Sequence, residues 1–144
     1  MTPSDRRLGG SPAQRQAYLE YTQAFSNAEC DRFGEYYTDD ACLELPSVGL
    51  TIQGREGIVG FYRTMFERVR ESLTLHQLIA DDGGIAADCT SQFTAIQDAP
   101  DFPVSPLKKG EFIRVRVFVH YTLRDGRIAS IKVARAGAPT HPQR

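Results

Sequence analysis

Residues 114–124 read RVRVFVHYTLR, and the strict alternation of this run decides the architecture. Val115, Val117, Val119, Tyr121 and Leu123 fall on one side of an extended chain, with Arg114, Arg116, Phe118, His120 and Thr122 on the other. A period of two over this length specifies a strand with one buried and one exposed face, placed at 111–124. Downstream, the turn signal RDG (124–126) joins it to a second strand-like run at 127–135. Upstream, DDGG (81–84) joins runs at roughly 73–80 and 85–97. The second half of the chain is therefore a set of antiparallel hairpins.

The first half has the helical period. Ala17, Tyr18, Tyr21, Ala24, Phe25 and Ala28 recur at three and four, behind Ser11 as a cap and Pro12 at the first helical position. A short helical segment follows at 31–37, and ACLELP (41–46) reads as a brief strand stopped by Pro46. QGREGIVGFYRTM (53–65) then opens a third helix, with Ile58, Phe61, Tyr62, Met65, Phe66 and Val69 on one face. Gly54, Gly57 and Gly60 have the look of a phosphate loop, but no βαβ unit precedes them and no Lys followed by Ser or Thr closes the motif. Inside a helix, Gly57 and Gly60 each cost ~1 kcal/mol relative to Ala, so they read as positions of close packing. Helices first and antiparallel strands after them give an α+β fold with helices on one face of a sheet.

At 144 residues the chain forms one domain, here 12–136, with loose Gly-, Pro- and polar-rich tails at 1–11 and 137–144. The net charge of -1 provides no field to attract nucleic acid or an anionic membrane. Cys30, Cys42 and Cys89 are widely spaced with no CxxC pair, which fits free thiols in a reducing compartment. His76, His120 and His141 lack ligand spacing, so neither a metal nor another cofactor is expected. The first residues lack the apolar core of a signal peptide, and no apolar run approaches the ~18 residues of a membrane span. A cytoplasmic location is the expectation.

With this order of elements the chain resembles the SnoaL and ketosteroid-isomerase group of the nuclear-transport-factor-2-like superfamily over residues 14–136. The run from Tyr21 through YYTDDACLELP (36–46) to IQGREGIVGFYR (52–63) matches the isomerases without a gap. The later strands match after a long insertion and a one-residue deletion. The resemblance implies a cone-shaped, mostly antiparallel curved sheet wrapped around N-terminal helices, with an apolar pocket inside. It also implies that Tyr21, the oxyanion donor of the first helix, is backed by Tyr37 and Tyr62. Two readings of these phenols are open: a linked network in which each polarises the next, or core tyrosines bonded to backbone or water.

The isomerase carboxyls are missing. The base position, just before the proline of the first strand, is Leu45, and the second acid falls on Val119; tuned carboxyls there carry the isomerisation. Glu44 reaches the base position only if the strand slips by one residue. Strand alternation and the resemblance together line the pocket with Leu43, Leu45, Cys89, Ser91 and Phe93. Val115, Val117, Val119, Ile131 and Val133 continue the wall, Gln77 faces inward, and Arg135 stands toward the mouth. Arg135 is read either as a recogniser of a carboxylate or phenolate or as a solvated strand end. DAPDFPVSPLKKG (98–110) is long for a hairpin connection and reads as a lid, a dimer arm or a surface insertion.

These features suit a protein that binds a lipophilic ring-containing molecule, steroid-, phenol- or polyketide-like. On this reading no steroid isomerase activity is expected; two alternatives stand beside it: a weak isomerase, cyclase or lyase using Tyr21 as oxyanion donor, or a homodimeric interaction module without ligand. Whether the chain is an enzyme is left open by the missing Asp base. A homodimer through the sheet face that includes Arg116, Phe118 and His120 is expected.

Overall fold

The computed structural model describes residues 7–144, and positions 1–6 of the expected N-terminal tail lie outside that range. The elements run α1 (Pro12–Ser26), α2 (Cys30–Gly34), β1 (Tyr37–Leu45), a 3₁₀ turn (Pro46–Val48), β2 (Leu50–Gln53), α3 (Arg55–Met65), β3 (Val69–Ala80), β4 (Gly84–Ala95), β5 (Phe112–Arg124) and β6 (Arg127–Arg135). The start of α1 follows its sequence: Ser11 accepts from the Gln14 amide, the Gln14 side chain reaches back to the Ser11 amide, and Pro12 fills the first turn.

One six-stranded curved sheet, in the order β2-β1-β6-β5-β4-β3, leaves β2 and β3 as its two edges and does not close. β1 and β6 run parallel, and the remaining neighbours are antiparallel. β5 lies inside the sheet with its alternation intact: Val115, Val117, Val119, Tyr121 and Leu123 are buried and the five residues between 114 and 122 on the opposite face are exposed. At the β5–β6 turn both Asp125 (φ 52°) and Gly126 (φ 78°) are left-handed, the geometry that matches strand twist in a two-residue hairpin. At the β3–β4 turn, Asp81 Oδ1 accepts from the amides of Gly83 and Gly84 at 2.8 and 2.9 Å.

The structure departs from the sequence expectation at three boundaries. β1 begins at Tyr37, since the polar residues Thr38 to Asp40 conceal a strand whose flanks are buried. β2 returns through Gly49 (φ 70°) as a short hairpin partner of β1. β3 begins at Val69, paired with Ala95, four residues before the expected start. Val69 fits the helical stripe of α3 and the strand period of Leu73 and Leu75 equally well, so spacing alone does not separate them.

Both tails are anchored where they are described. Leu8 is buried and its amide donates to Gly126 O at 2.8 Å. Near the other end, Gln143 exchanges backbone hydrogen bonds with Phe112 at 2.6 and 2.7 Å, and Thr140 Oγ1 accepts from the Arg114 amide at 3.0 Å. β5 extends beyond the end of β6, and the C-terminal residues cover the strand edge that this leaves bare.

The helices pack on the inner face, α1 against β3 and α3 against β1 and β2. Tyr18, Phe33, Tyr37, Leu43, Ile58 and Ile128 are wholly buried at the centre of the main core. A second, smaller core of Val69, Ala95, Ala99, Phe102, Leu107 and Ile113 holds the 98–110 segment, which folds back on itself through an Ala99–Leu107 bridge. No helix among the described residues is long and apolar enough to cross a membrane.

Candidate functional site

A cavity of about 780 Å³ opens between α3, the inner face of the sheet and the 98–110 segment. That volume is in the range of sites that enclose a drug-sized or polycyclic molecule. The main core explains why the cavity lies at one end only. Along β4 the inward side chains change from Ala87 and Cys89, which pack in the core, to Ser91 and Phe93, which face the cavity. On β5 the change falls between Val119 and Val117, and on β6 between Ile131 and Val133.

Of the residues expected to line a pocket, Leu45, Tyr62, Ser91, Phe93, Val115 and Val117 do so, together with Val133 and Arg135. Leu43, Cys89, Val119 and Ile131 share the same sheet face but are absorbed in the core, as are Tyr21 and Tyr37. Gln77 is exposed: a register shift between Leu75 and Gln77 turns it outward and brings Leu78 in. Glu44 does not approach the site, and its carboxylate lies 3.9 Å from Lys132 on the neighbouring strand.

Positions 45 and 119 carry no carboxyl, but β3 brings one to the cavity wall. Glu71 lines the cavity and accepts a hydrogen bond from Ser91 Oγ at 2.9 Å, with Ser91 itself buried. Loss of hydration pushes the Glu71 pKa up to about 7, only partly offset by the Ser91 hydrogen bond. Such a carboxyl exchanges its proton near neutral pH, as a general acid or base requires. Reading 69–72 as the end of α3 hides this residue, although Glu71 shares strand parity with Val69, Leu73 and Leu75, which was the available signal.

The phenols divide into pairs. Tyr21 and Tyr37 share a hydrogen bond of 2.8 Å, and Tyr18 and Tyr121 one of 3.1 Å. Tyr62 contacts Phe25, Phe61 and Phe66 through its ring, and no hydrogen bond reaches its hydroxyl among the described residues. The expected three-membered chain therefore holds as one bonded pair with Tyr62 beside it. No fully buried polar side-chain atom among the described residues lacks a partner, so the Tyr62 hydroxyl is not fully buried, and Tyr62 is among the residues that line the cavity. Burial raises the pKa of Tyr21, Tyr37 and Tyr62 alike, and an ionised Glu71 raises those of Tyr21 and Tyr62 further. All three remain protonated donors.

The rim combines greasy and charged groups. Phe102 of the 98–110 segment packs on Phe93 at 5.1 Å between ring centres, and Asp101 lies 3.4 Å from Arg68. Phe102, Pro103 and Val104 form one lip of the cavity, so this part of the 98–110 segment borders the pocket.

Solved structures share this architecture. A protein designated a polyketide cyclase from Silicibacter superposes with a TM-score of 0.71 at 20% identity, over 85% of this chain and 88% of that one. An LEH-like epoxide hydrolase of M. tuberculosis gives 0.67 at 20% identity, over 84% and 80%. A protein designated a ketosteroid isomerase from Kribbella flavida gives 0.61 at 19% identity, over 84% and 76%. No curated protein sequence matches the chain. The SnoaL-like domain profile matches residues 18–131, most of the chain, and the protein belongs to the SnoaL-like family, with a nuclear-transport-factor-2-like fold.

Proposed function

We propose that this protein binds a lipophilic ring-containing molecule in the cavity and transfers a proton on it through Glu71. The observation that carries the reading is a carboxyl in the wall of a largely apolar pocket, hydrogen-bonded to Ser91 and with its pKa lifted to about 7. Half-ionised at neutral pH, Glu71 removes a proton from an acidic carbon or hydroxyl of the ligand and returns it to a neighbouring atom. Oxygen charge that develops meanwhile is stabilised by the Tyr62 hydroxyl, with the Tyr21–Tyr37 pair behind it. Isomerisation, elimination and ring closure next to a carbonyl all reduce to this step, and the cyclase, hydrolase and isomerase designations of the structural relatives are compatible with it.

A carbon acid that needs only a base in an apolar cavity isolates the step. With 5-nitrobenzisoxazole, Glu71 takes the ring C–H proton, the N–O bond breaks, and a nitrile and a phenolate form. Turnover should rise with pH to a plateau, with a midpoint near 7, and Glu71→Gln should lower it by about 10²-fold or more. Tyr62→Phe should slow it less, through weaker support of the phenolate. Glu71→Gln with undiminished turnover refutes the proposal.

We further propose that two copies associate through the outer face of the sheet, where Phe118 is 52% exposed and Ile79 is 59% exposed.

A further inference from the structure

Three arginines among the described residues are half-buried, and they differ in what they touch. Arg15 donates to the carbonyls of Gly10, Leu78 and Ala80, and Arg55 to the Tyr37 carbonyl and the Asp39 carboxylate. Arg135 lines the cavity, and among the described residues no hydrogen bond or ion pair engages its guanidinium. The acid on the adjoining part of the sheet, Glu44, is taken up by Lys132, and Asp101 across the rim is held by Arg68. A guanidinium partly withdrawn from water with no anion of its own is left with uncompensated donors, and its planar fork fits a carboxylate or a phenolate-like anion.

The sheet register separates Arg135 from Glu71. Arg135 on β6 is opposite Val117, whereas Glu71 on β3 is opposite Phe93, in another row of side chains. Three strand spacings lie between β6 and β3, roughly 14 Å across a flat sheet, and the row of Arg135 meets β3 at Leu75, four residues or about 13 Å along the strand from Glu71; curvature of the sheet shortens the separation. Glu71 is not shifted by Arg135, in keeping with that separation. The cavity therefore has an acid–base group at one end, an unpaired cation at the other, and apolar walls between them.

We infer that the ligand is an amphipathic anion: a lipophilic ring body whose carboxylate, or equivalent anionic group, is held by Arg135 while its reacting carbon or hydroxyl lies at Glu71. The assignment deepens the acid–base reading and rests on that cavity being the ligand site. It excludes neutral hydrocarbons and places the anionic group at the far end of the ligand from the reacting atom.

Equilibrium binding tests it without any turnover. Naphthylalkanoates of increasing chain length are titrated calorimetrically at about pH 8 in low salt, each against its own methyl ester. The acids should bind about tenfold or more tighter than the esters, the range for hydrogen bonds to a charged group, and added salt should narrow the gap. Arg135→Gln should abolish the preference and leave ester affinity within about twofold, and Arg135→Lys should keep part of it, which shows that charge and not folding was lost. Glu71→Gln should preserve the preference, because removing the acid takes away a like charge only. Equal affinity of acid and ester for the unmodified protein overturns the inference, as does a preference that survives Arg135→Gln. If Glu71→Gln leaves base catalysis intact while Arg135→Gln removes the acid preference, the proton-transfer reading falls and the anion site stands. If neither acid nor ester binds at any chain length, the inference is overturned, and the proton-transfer reading is decided by the turnover of 5-nitrobenzisoxazole alone.

Discussion

At neutral pH Glu71 is half-protonated, whereas a solvated glutamate is fully ionised. Burial lifts its folded pKa from the ordinary 4.5 to about 7, so the folded protein binds a proton that the unfolded chain releases in this interval. The corresponding stability is fully present below about pH 4.5 and is lost as pH rises through 7. Glu71→Gln should therefore raise stability near pH 8–9 by ~1–2 kcal/mol, less than a completely dry carboxyl would give, and have little effect near pH 5. Urea denaturation at the two pH values measures the difference, and equal shifts at both would mean the carboxyl titrates normally. Glu71 also marks the limit of what the residues disclose in one dimension. The pairing of Tyr21 with Tyr37, 16 positions apart, is reached only through resemblance, because nothing local in either segment points to the other. The replaced acids at Leu45 and Val119 were legible in the same way. The place of Glu71 in the cavity wall was not, since it depends on the pocket around it and not on a motif.

Among the elements, α3 shows how a glycine spacing without phosphate chemistry can still serve the site. Gly57 lies where an added methyl would meet Ile52 Cγ2 at 3.3 Å, so close packing explains it. Gly60 has nothing within 4 Å of such a methyl and faces the cavity. Gly60→Ala should accordingly stabilise the protein by ~0.5–1 kcal/mol through helix propensity alone, visible as a higher urea midpoint with an unchanged slope, while Gly57→Ala should gain less or lose. A destabilised Gly60→Ala would mean that the helix is held against something at this point. Alternation fixed β5 and capping fixed α1 from sequence, because each depends on neighbours in the chain. β2 and the first part of β3 were hidden because a four-residue strand has no readable period and Val69 satisfies two periods at once.

For the whole molecule, the α+β order and the curved sheet follow from the hairpin series, while the division of the inner face into filled core and open cavity follows from where the helices end. The outer face is exposed in its alternate residues, with Arg116 bound to Asp88 by two hydrogen bonds of 2.6 and 2.8 Å beside the exposed ring of Phe118. If this face joins two copies, sedimentation at tens of micromolar should give a dimer, and Phe118→Glu, which places a carboxylate beside Asp88, should give monomers. A monomeric parent protein contradicts the proposal. The 98–110 lip of the cavity, in contrast, is held by a small core, to which Phe102 and Leu107 belong, beside the one around which the helices close. Cooperative units of this kind open at different free energies, and peripheral ones open first. If the 98–110 segment opens as a unit of this kind, its amides should exchange with solvent faster than those of the tyrosine-rich core, which hydrogen exchange would show. Were a molecule held in the cavity, its exchange would then depend on this segment and not on global unfolding, so ligand residence and thermal stability should be separable properties of the chain.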